Sequence, residues 1–277
     1  MRTLTILVLI SICLPACSAS SDASSAAGAD AVPVKHGGVV VGSNAGDNGG
    51  RNFAAASFYD TPFPDVPCEV RQIASCSVVA CKAITAADLA SLPKGISPGA
   101  ISIGGTKYPL SLTQSGDGTY LSREDPGPLP VYSGGEMLTV ITTGGVVPQF
   151  YAELVAPGAI TITSPRPTPA DLLLISRSAG LPIAWTGGPV DAVSAEIRVL
   201  GPSGSTSVTC QFAGADGHGV VPSEALAALT SQSDRDTTQL DISAGSSTTQ
   251  RVGEYQVSFT AVAPVSGLAN AIPILVP

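Results

Sequence analysis

Apolar residues fall into two regimes along the chain. From Leu4 to Ile12 they dominate one stretch, interrupted only by Thr5 and Ser11. From about residue 53 they come as short β-branched runs bounded by Gly, Pro, Asp or Ser. In the first half these are "CSVVACK", "AISIGG", "YPLSLTQ", "MLTVITTGG", "QFYAELVA" and "AITITSP". In the second half they are "LLLISRS", "LPIAWTGG", "SAEIRVLG", "SVTCQF", "TTQLDIS" and "GEYQVSFTAV". Short strands at regular spacing, separated by turn residues, predict an all-β sandwich or barrel. Asp117-Gly118, between two such runs, predicts a hairpin turn. "PGAISI" (98–103) and "PGAITI" (157–162) read as two strands entered by the same turn chemistry; their flanks differ, so they are not a repeat. Helix signals are few. Thr85 with Asp88 three residues on forms a capping pattern in "TAADLASL". In "VPSEALAALTS", Ser223 is the cap candidate ahead of an Ala/Leu run.

The linkers divide the chain. Residues 18–32, "SASSDASSAAGADAV", have almost nothing to bury and predict a flexible tether that continues through the Gly-rich "GSNAGDNGG". "SPRPTPADL" carries three prolines in five residues. Proline cannot donate to a ladder, so this predicts a stiff connector. The expected order is a signal peptide over 1–16, a tether over 17–50, a cysteine-bearing β-domain over 51–164 and a β-sandwich over 165–277. The fold class is thus all-β, with two tandem sandwich-like domains after a disordered Ser/Ala/Gly tether.

Composition narrows the function. The chain has 277 residues, a net charge of −8 and only 12% charged residues. Its lysines are Lys35, Lys82, Lys94 and Lys107, and no basic stripe exists to neutralise phosphates, which argues against nucleic acid as a partner. With 44% hydrophobic residues the chain can build a real core.

Cys13 falls within the leader. Of the rest, Cys68, Cys76 and Cys81 cluster in "PCEVRQIASCSVVAC", and Cys210 stands apart. At most one bridge closes inside the cluster, and the leftover thiol either stays free or reaches Cys210. One local disulfide is the expected staple, as suits an oxidising compartment. Cys210 alternates with Val208 and Phe212, which predicts a small core hydrophobe. Zinc is disfavoured, because the cluster has no close Cys pair and no nearby histidine.

The N-terminus has the shape of an export signal: Arg2, then an apolar stretch too short to span a bilayer, then small residues. Leu14, Ala16 and Cys17 in "LPAC" match the lipobox of bacterial lipoproteins. The resemblance implies that Cys17 receives a diacylglyceryl group, becomes the first mature residue and is then acylated; several acyl chains anchor stably, at about 0.8 kcal/mol per buried CH₂. Ser18 after the anchor, rather than Asp, implies the outer membrane by resemblance to known sorting rules. Further on, "LPIAWTGG" and "GEYQVSFTAVAP" resemble the second and sixth strands of a fibronectin type III or related immunoglobulin-like sandwich. The resemblance implies that Trp185 is the core tryptophan. Tyr255, Val257, Phe259 and Ala261 would then form the inward face of a strand in the same domain. Such a fold implies no chemistry.

Candidate sites are sparse. His36 falls in the expected tether. His218 sits beside Asp216 in "GADGHG", but no G-x-S-x-G elbow presents a serine to it. Ser91 and Lys94 have S-x-x-K spacing, with Pro93 between them and no companion motif. Asp216, Asp234, Asp236 and Asp241 are the calcium candidates, without a D-x-D-x-D-G loop to group them. Phe53, Phe58, Tyr59 and Phe63 read as a first strand docking on the core. No cofactor is expected. The function expected is a non-enzymatic envelope lipoprotein: a binding, adhesion or structural module, touching the membrane through its lipid and some protein or glycan through its body. The alternatives are a calcium-dependent carbohydrate-binding module and a hydrolase using His218.

Overall fold

Alternation in sequence becomes alternation in burial. In the computed structural model Val193, Ala195, Ile197 and Val199 of one strand are buried and the residues between them are not. The described residues are 34–43, 52–61, 68–83, 85, 88, 92–114, 118–122, 130–166, 173–229, 237–267 and 272–275. Cys17 and the expected signal and lipobox lie outside them.

The first nine strands are β1 (Lys35–Gly42), β2 (Phe53–Phe58), β3 (Cys68–Ile73), β4 (Cys76–Lys82), β5 (Ile101–Gly104), β6 (Leu110–Gln114), β7 (Thr119–Ser122), β8 (Met137–Thr142) and β9 (Tyr151–Val155). Then come β10 (Ile160–Ser164), β11 (Leu173–Leu174), β12 (Leu181–Gly187), β13 (Ala192–Gly201), β14 (Gly204–Ala213) and β15 (His218–Val221). A short helix, α1 (Ser223–Ala227), precedes β16 (Thr237–Val252), β17 (Tyr255–Val262), β18 (Val265–Ser266) and β19 (Ile272–Leu275). The all-β, sandwich-like class expected from the sequence is the class the chain adopts.

One large sheet runs β3-β4-β14-β13-β16-β17-β1-β2-β7-β6-β5-β8-β9. A second runs β15-β12-β10-β18. The β4-β14-β13-β16 part of the large sheet shares a core with this second sheet. Ile160, Ile162, Ile183 and Trp185 on one side meet Val193, Ile197, Val208 and Leu240 on the other. The rest of the large sheet curls until β9 lies beside the far half of β16, where Gln250 Nε2 donates to the Tyr151 carbonyl at 2.8 Å. It encloses a separate core built on Val39, Phe58, Ile101, Leu138, Val140 and Phe259. The rings of Phe58 and Phe150 meet there at 6.0 Å.

The two cores do not divide at residue 164, and Pro33–Pro277 forms one compact unit. β4, from the first half, pairs antiparallel with β14, and β17, near the C-terminus, pairs parallel with β1. The strand that joins the cores is β16. Its first half pairs with β13 and buries Thr238, Leu240, Ile242 and Ala244; its second half pairs with β17 and buries Val252. The chain departs from the immunoglobulin-like arrangement that its sequence resembles. Trp185 is buried as expected, and so are Tyr255, Val257, Phe259 and Ala261, but the tryptophan belongs to one core and the other four to the second. The turn after Val252 sends β17 toward β1 rather than back over β12.

Residues 35–42, assigned to the tether by composition, form β1. Three of its eight residues are glycine, which disfavours a strand until the neighbours are seen. The Phe58 ring occupies the space a Gly37 side chain would need, 2.2 Å from where a Cβ would stand, and Phe53 covers Gly42 in the same way. Of the aromatic cluster expected to dock on the core, Phe58 does so and is fully buried, and Tyr59 is bridged to Gly95, whereas Phe53 lies over β1 and stays 42% exposed; Phe63 lies outside the described residues.

The smaller expectations divide. β6 and β7 pair as a hairpin, with residues 115–117 outside the described set. Thr85 and Asp88 make the predicted capping box, Oδ2 accepting from the Thr85 amide at 2.7 Å and Oγ1 from the Asp88 amide at 3.3 Å. Ser223 is not a cap: Pro222 holds that position and Ser223 is the first helical residue. The end of this helix is tied by Arg177, whose guanidinium donates to the Ala227 and Leu229 carbonyls, as suits a cation at a helix C-terminus. Gly99 has φ +83° while Gly158 keeps an ordinary φ, so the two "PGA" turns differ after all.

Two substitutions test the shared strand. Gly245 faces Ala192 on one side and Val262 on the other, and an added Cβ would stand 2.4 Å from the Ala261 carbonyl oxygen. Gly245→Ala is expected to cost about 1–3 kcal/mol and to lower Tm by several degrees. Thr238 is 3% exposed and its hydroxyl has no hydrogen-bond partner. Thr238→Val keeps the shape and removes the buried hydroxyl, so it is expected to add about 1 kcal/mol in urea unfolding.

Candidate functional site

The cysteines are brought together by strand register. Cys68 lies directly opposite Cys81 in the β3–β4 pair, and Cys76 directly opposite Cys210 in the β4–β14 pair. Both pairs are disulfides. The expected local staple is therefore Cys68–Cys81. The leftover thiol reaches Cys210, which is fully buried as expected but as a half-cystine rather than a free hydrophobe. Cys76 and Cys81 are five residues apart on one strand, so they point to opposite faces. Cys76–Cys210 is fully buried in the core, while Cys68–Cys81 keeps partial contact with solvent on the other side.

The "GADGHG" segment is a fastened turn. A 3-10 turn over Gly214–Asp216 ends at Gly217, in the left-handed region at φ +68°. Trp185 holds it twice: its indole donates to the Gly214 carbonyl at 3.0 Å, and its backbone amide to Gly217 at 2.9 Å. His218 is exposed on β15, and its Nδ1 meets the backbone carbonyl of Asp216 at 2.8 Å rather than the carboxylate. Asp216 thus does not orient the ring as a triad carboxylate would. Asp234, Asp236 and Ser91 lie outside the described residues. Asp216 and Asp241 sit on separate elements, and no group of three potential metal ligands occurs among the described residues. His36 lies on β1, opposite Gln256.

Asp241 does take part in a charge cluster that its sequence did not announce. It stands opposite Glu196 across the β13–β16 ladder, and Arg198, two residues along β13, binds Glu196 Oε1 at 2.6 Å. The Asp241 carboxyl is raised above its ordinary value, first by desolvation, then by the Glu196 charge, with Arg198 pulling the other way. Asp241 nevertheless shows more than a third of its surface, so solvent limits the energy involved.

The surface that sequence reasoning missed is the outer face of β8 and β9. Met137 lies opposite Val155 and Ile141 opposite Tyr151, all of them about half exposed. Between them Thr139 faces Glu153, which accepts from the Tyr151 hydroxyl at 2.5 Å. Val146, in the connecting loop, is 66% exposed. Glu136 fixes the entry to β8 by accepting from the amides of Ser133 at 2.8 Å and Gly134 at 2.6 Å. The available signal was that "MLTVIT" is apolar in both phases of its alternation. Side chains of this kind on a strand's outer face are what an interaction surface needs.

No protein-family model and no curated protein matches the chain. Among solved structures it is similar to the tetra-tandem repeat in the extending region of a large adhesion protein. That similarity is 13% in identity, with a TM-score of 0.20, over 83% of this chain and 74% of the other. A TM-score that low does not equate the two folds. Among the described residues no helix is long and apolar enough to cross a membrane.

The cluster gives a pH prediction. A carboxyl whose folded-state pKa is raised contributes stability at low pH that is lost as pH rises through that value. Asp241→Asn is therefore expected to stabilise the protein at pH 7, by no more than about 1 kcal/mol given the exposure. In thermal melts the gain should shrink toward zero as pH falls and the wild-type carboxyl takes its proton. A gain that grew in acid would contradict the cluster.

Proposed function

We propose that the protein is an exported lipoprotein of the bacterial envelope, held by lipid on Cys17, whose β-body serves as a non-enzymatic binding or adhesion module. The observation that carries the reading is the pair of disulfides. Structural disulfides persist in oxidising compartments outside the cytosol, where a chain headed by "LPAC" would be delivered. A body braced by two covalent bridges suits exposure at the envelope. The apolar β8–β9 face supports a role in contact rather than in chemistry. Ser18 after the anchor favours the outer membrane.

The test is the intact mass of the protein extracted from membranes, beside a Cys17→Ser variant. The expected result is a chain that begins at Cys17 and is heavier by a diacylglyceryl and an acyl group, with the added mass absent from the variant. A wild-type chain of unmodified mass recovered from the soluble fraction would overturn the anchoring. Protease added to intact cells separates surface display, where the body is cut, from a periplasmic body, cut only after lysis.

A further inference from the structure

β3 ends the large sheet, and four consecutive residues in it, Glu69 to Gln72, are exposed. Val70 keeps 61% of its surface in solvent. A strand exposed on both faces and along one edge is a template for another strand.

Register decides which backbone groups that edge offers. In an antiparallel pair the residues that exchange hydrogen bonds stand about 5.5 Å apart at Cα, and those that do not stand about 4.5 Å apart. Cys68 and Cys81 are 4.1 Å apart, which marks them as a pair without ladder bonds. Counting by two, the amides and carbonyls of Cys68, Val70 and Gln72 point away from β4. Among the described residues no strand takes them up.

We infer that this edge pairs with β3 of a second copy of the chain, antiparallel, across a two-fold axis at Val70. The charges select that partner and that register. In the isolated chain Arg71 Nη2 lies 3.3 Å from Glu69 Oε2, and both side chains are largely in solvent. With the axis at Val70, Glu69 faces Arg71 of the second copy and Arg71 faces its Glu69. The two valines oppose each other, and Cys68 faces Gln72. The three pairs formed by residues 68, 70 and 72 each exchange two backbone bonds, and the charged pairs fall between them, where side chains come closest. An axis at Glu69 or at Arg71 would set like charges face to face. An edge blunted against its own kind carries one sign of charge; this one carries both, in self-complementary order. The inference does not depend on lipidation.

The test uses the chain from Ser18 onward, which keeps the whole compact unit and carries no lipid, in sedimentation equilibrium with both disulfides intact. The wild type is expected to show a concentration-dependent dimer. Glu69→Arg and Arg71→Glu should each weaken it by about tenfold or more, because each sets two like-charge pairs opposite one another. Mixing these two variants should restore a heterodimer, since each then meets the opposite charge, and the double swap Glu69→Arg/Arg71→Glu should restore the homodimer. Val70→Pro removes an amide that does not bond β4, so it should abolish the dimer and leave the monomer's melting curve little changed. A wild type that stays monomeric at millimolar concentration would overturn the proposal. So would a dimer indifferent to both charge reversals, which would place the contact elsewhere, as on the β8–β9 face.

Discussion

The fold depends on one strand serving two cores. β16 runs for sixteen residues and changes partners at Gly245, with β13 beside its first half and β17 beside its second. Neither core is complete without it. The arrangement makes contacts that span most of the sequence: β1 finds its parallel neighbour in β17, more than two hundred residues later. Such pairing cannot form until the C-terminal strands exist, and loop-closure entropy must be overcome before those contacts repay it. The cores are thereby linked through ladder bonds rather than through a hinge, so the ordinary expectation of independent domain motion does not apply.

The disulfides solve a problem that this topology creates. β4 comes from the first half of the chain yet pairs with β14 in the second, across a sequence separation of 134 at Cys76–Cys210. A bridge closing a loop of that size removes more freedom from the unfolded chain than a short one, about 4–5 against about 3 kcal/mol in the chain-entropy description. The bridge with the larger entropic effect is also the one sealed in the core. The shorter bridge, of separation 13, lies on the opposite face of the same strand and is partly open to solvent. β4 is held covalently on both sides, and each bond acts on a different neighbour.

Period-two alternation was enough to place most strands and their buried faces, because inward residues such as Val193, Ile197, Val257 and Phe259 repeat at the pitch of the pleat. It could not say which core a strand serves. Trp185 and Tyr255 look equally inward in sequence and end in different clusters, since partner choice depends on register and turn direction rather than on pattern. β1 was hidden for another reason: Gly37 and Gly42 read as spacer until Phe58 and Phe53 are seen filling the gaps they leave. The cysteine connectivity needed the β14 neighbour, which local spacing cannot supply. The Glu196–Arg198–Asp241 cluster needed the β13–β16 register, and the β8–β9 face was written only as a strand apolar on both sides.

β3 shows how the covalent and the non-covalent parts of the structure cooperate. A two-stranded hairpin with no hydrophobic face is marginal in water. The middle of β3 buries nothing, so burial does not explain why it stays paired with β4. What remains is the ladder and the Cys68–Cys81 bridge at its far end from the turn, where fraying would otherwise begin. The bridge therefore allows an ordered strand with an unprotected edge to stand clear of the core. A fold that needed only to protect itself would cover that edge or give it one sign of charge. Here the edge keeps an unbroken register with β4, stays open and carries both signs of charge, which is the form that favours a strand of matching order over a random one.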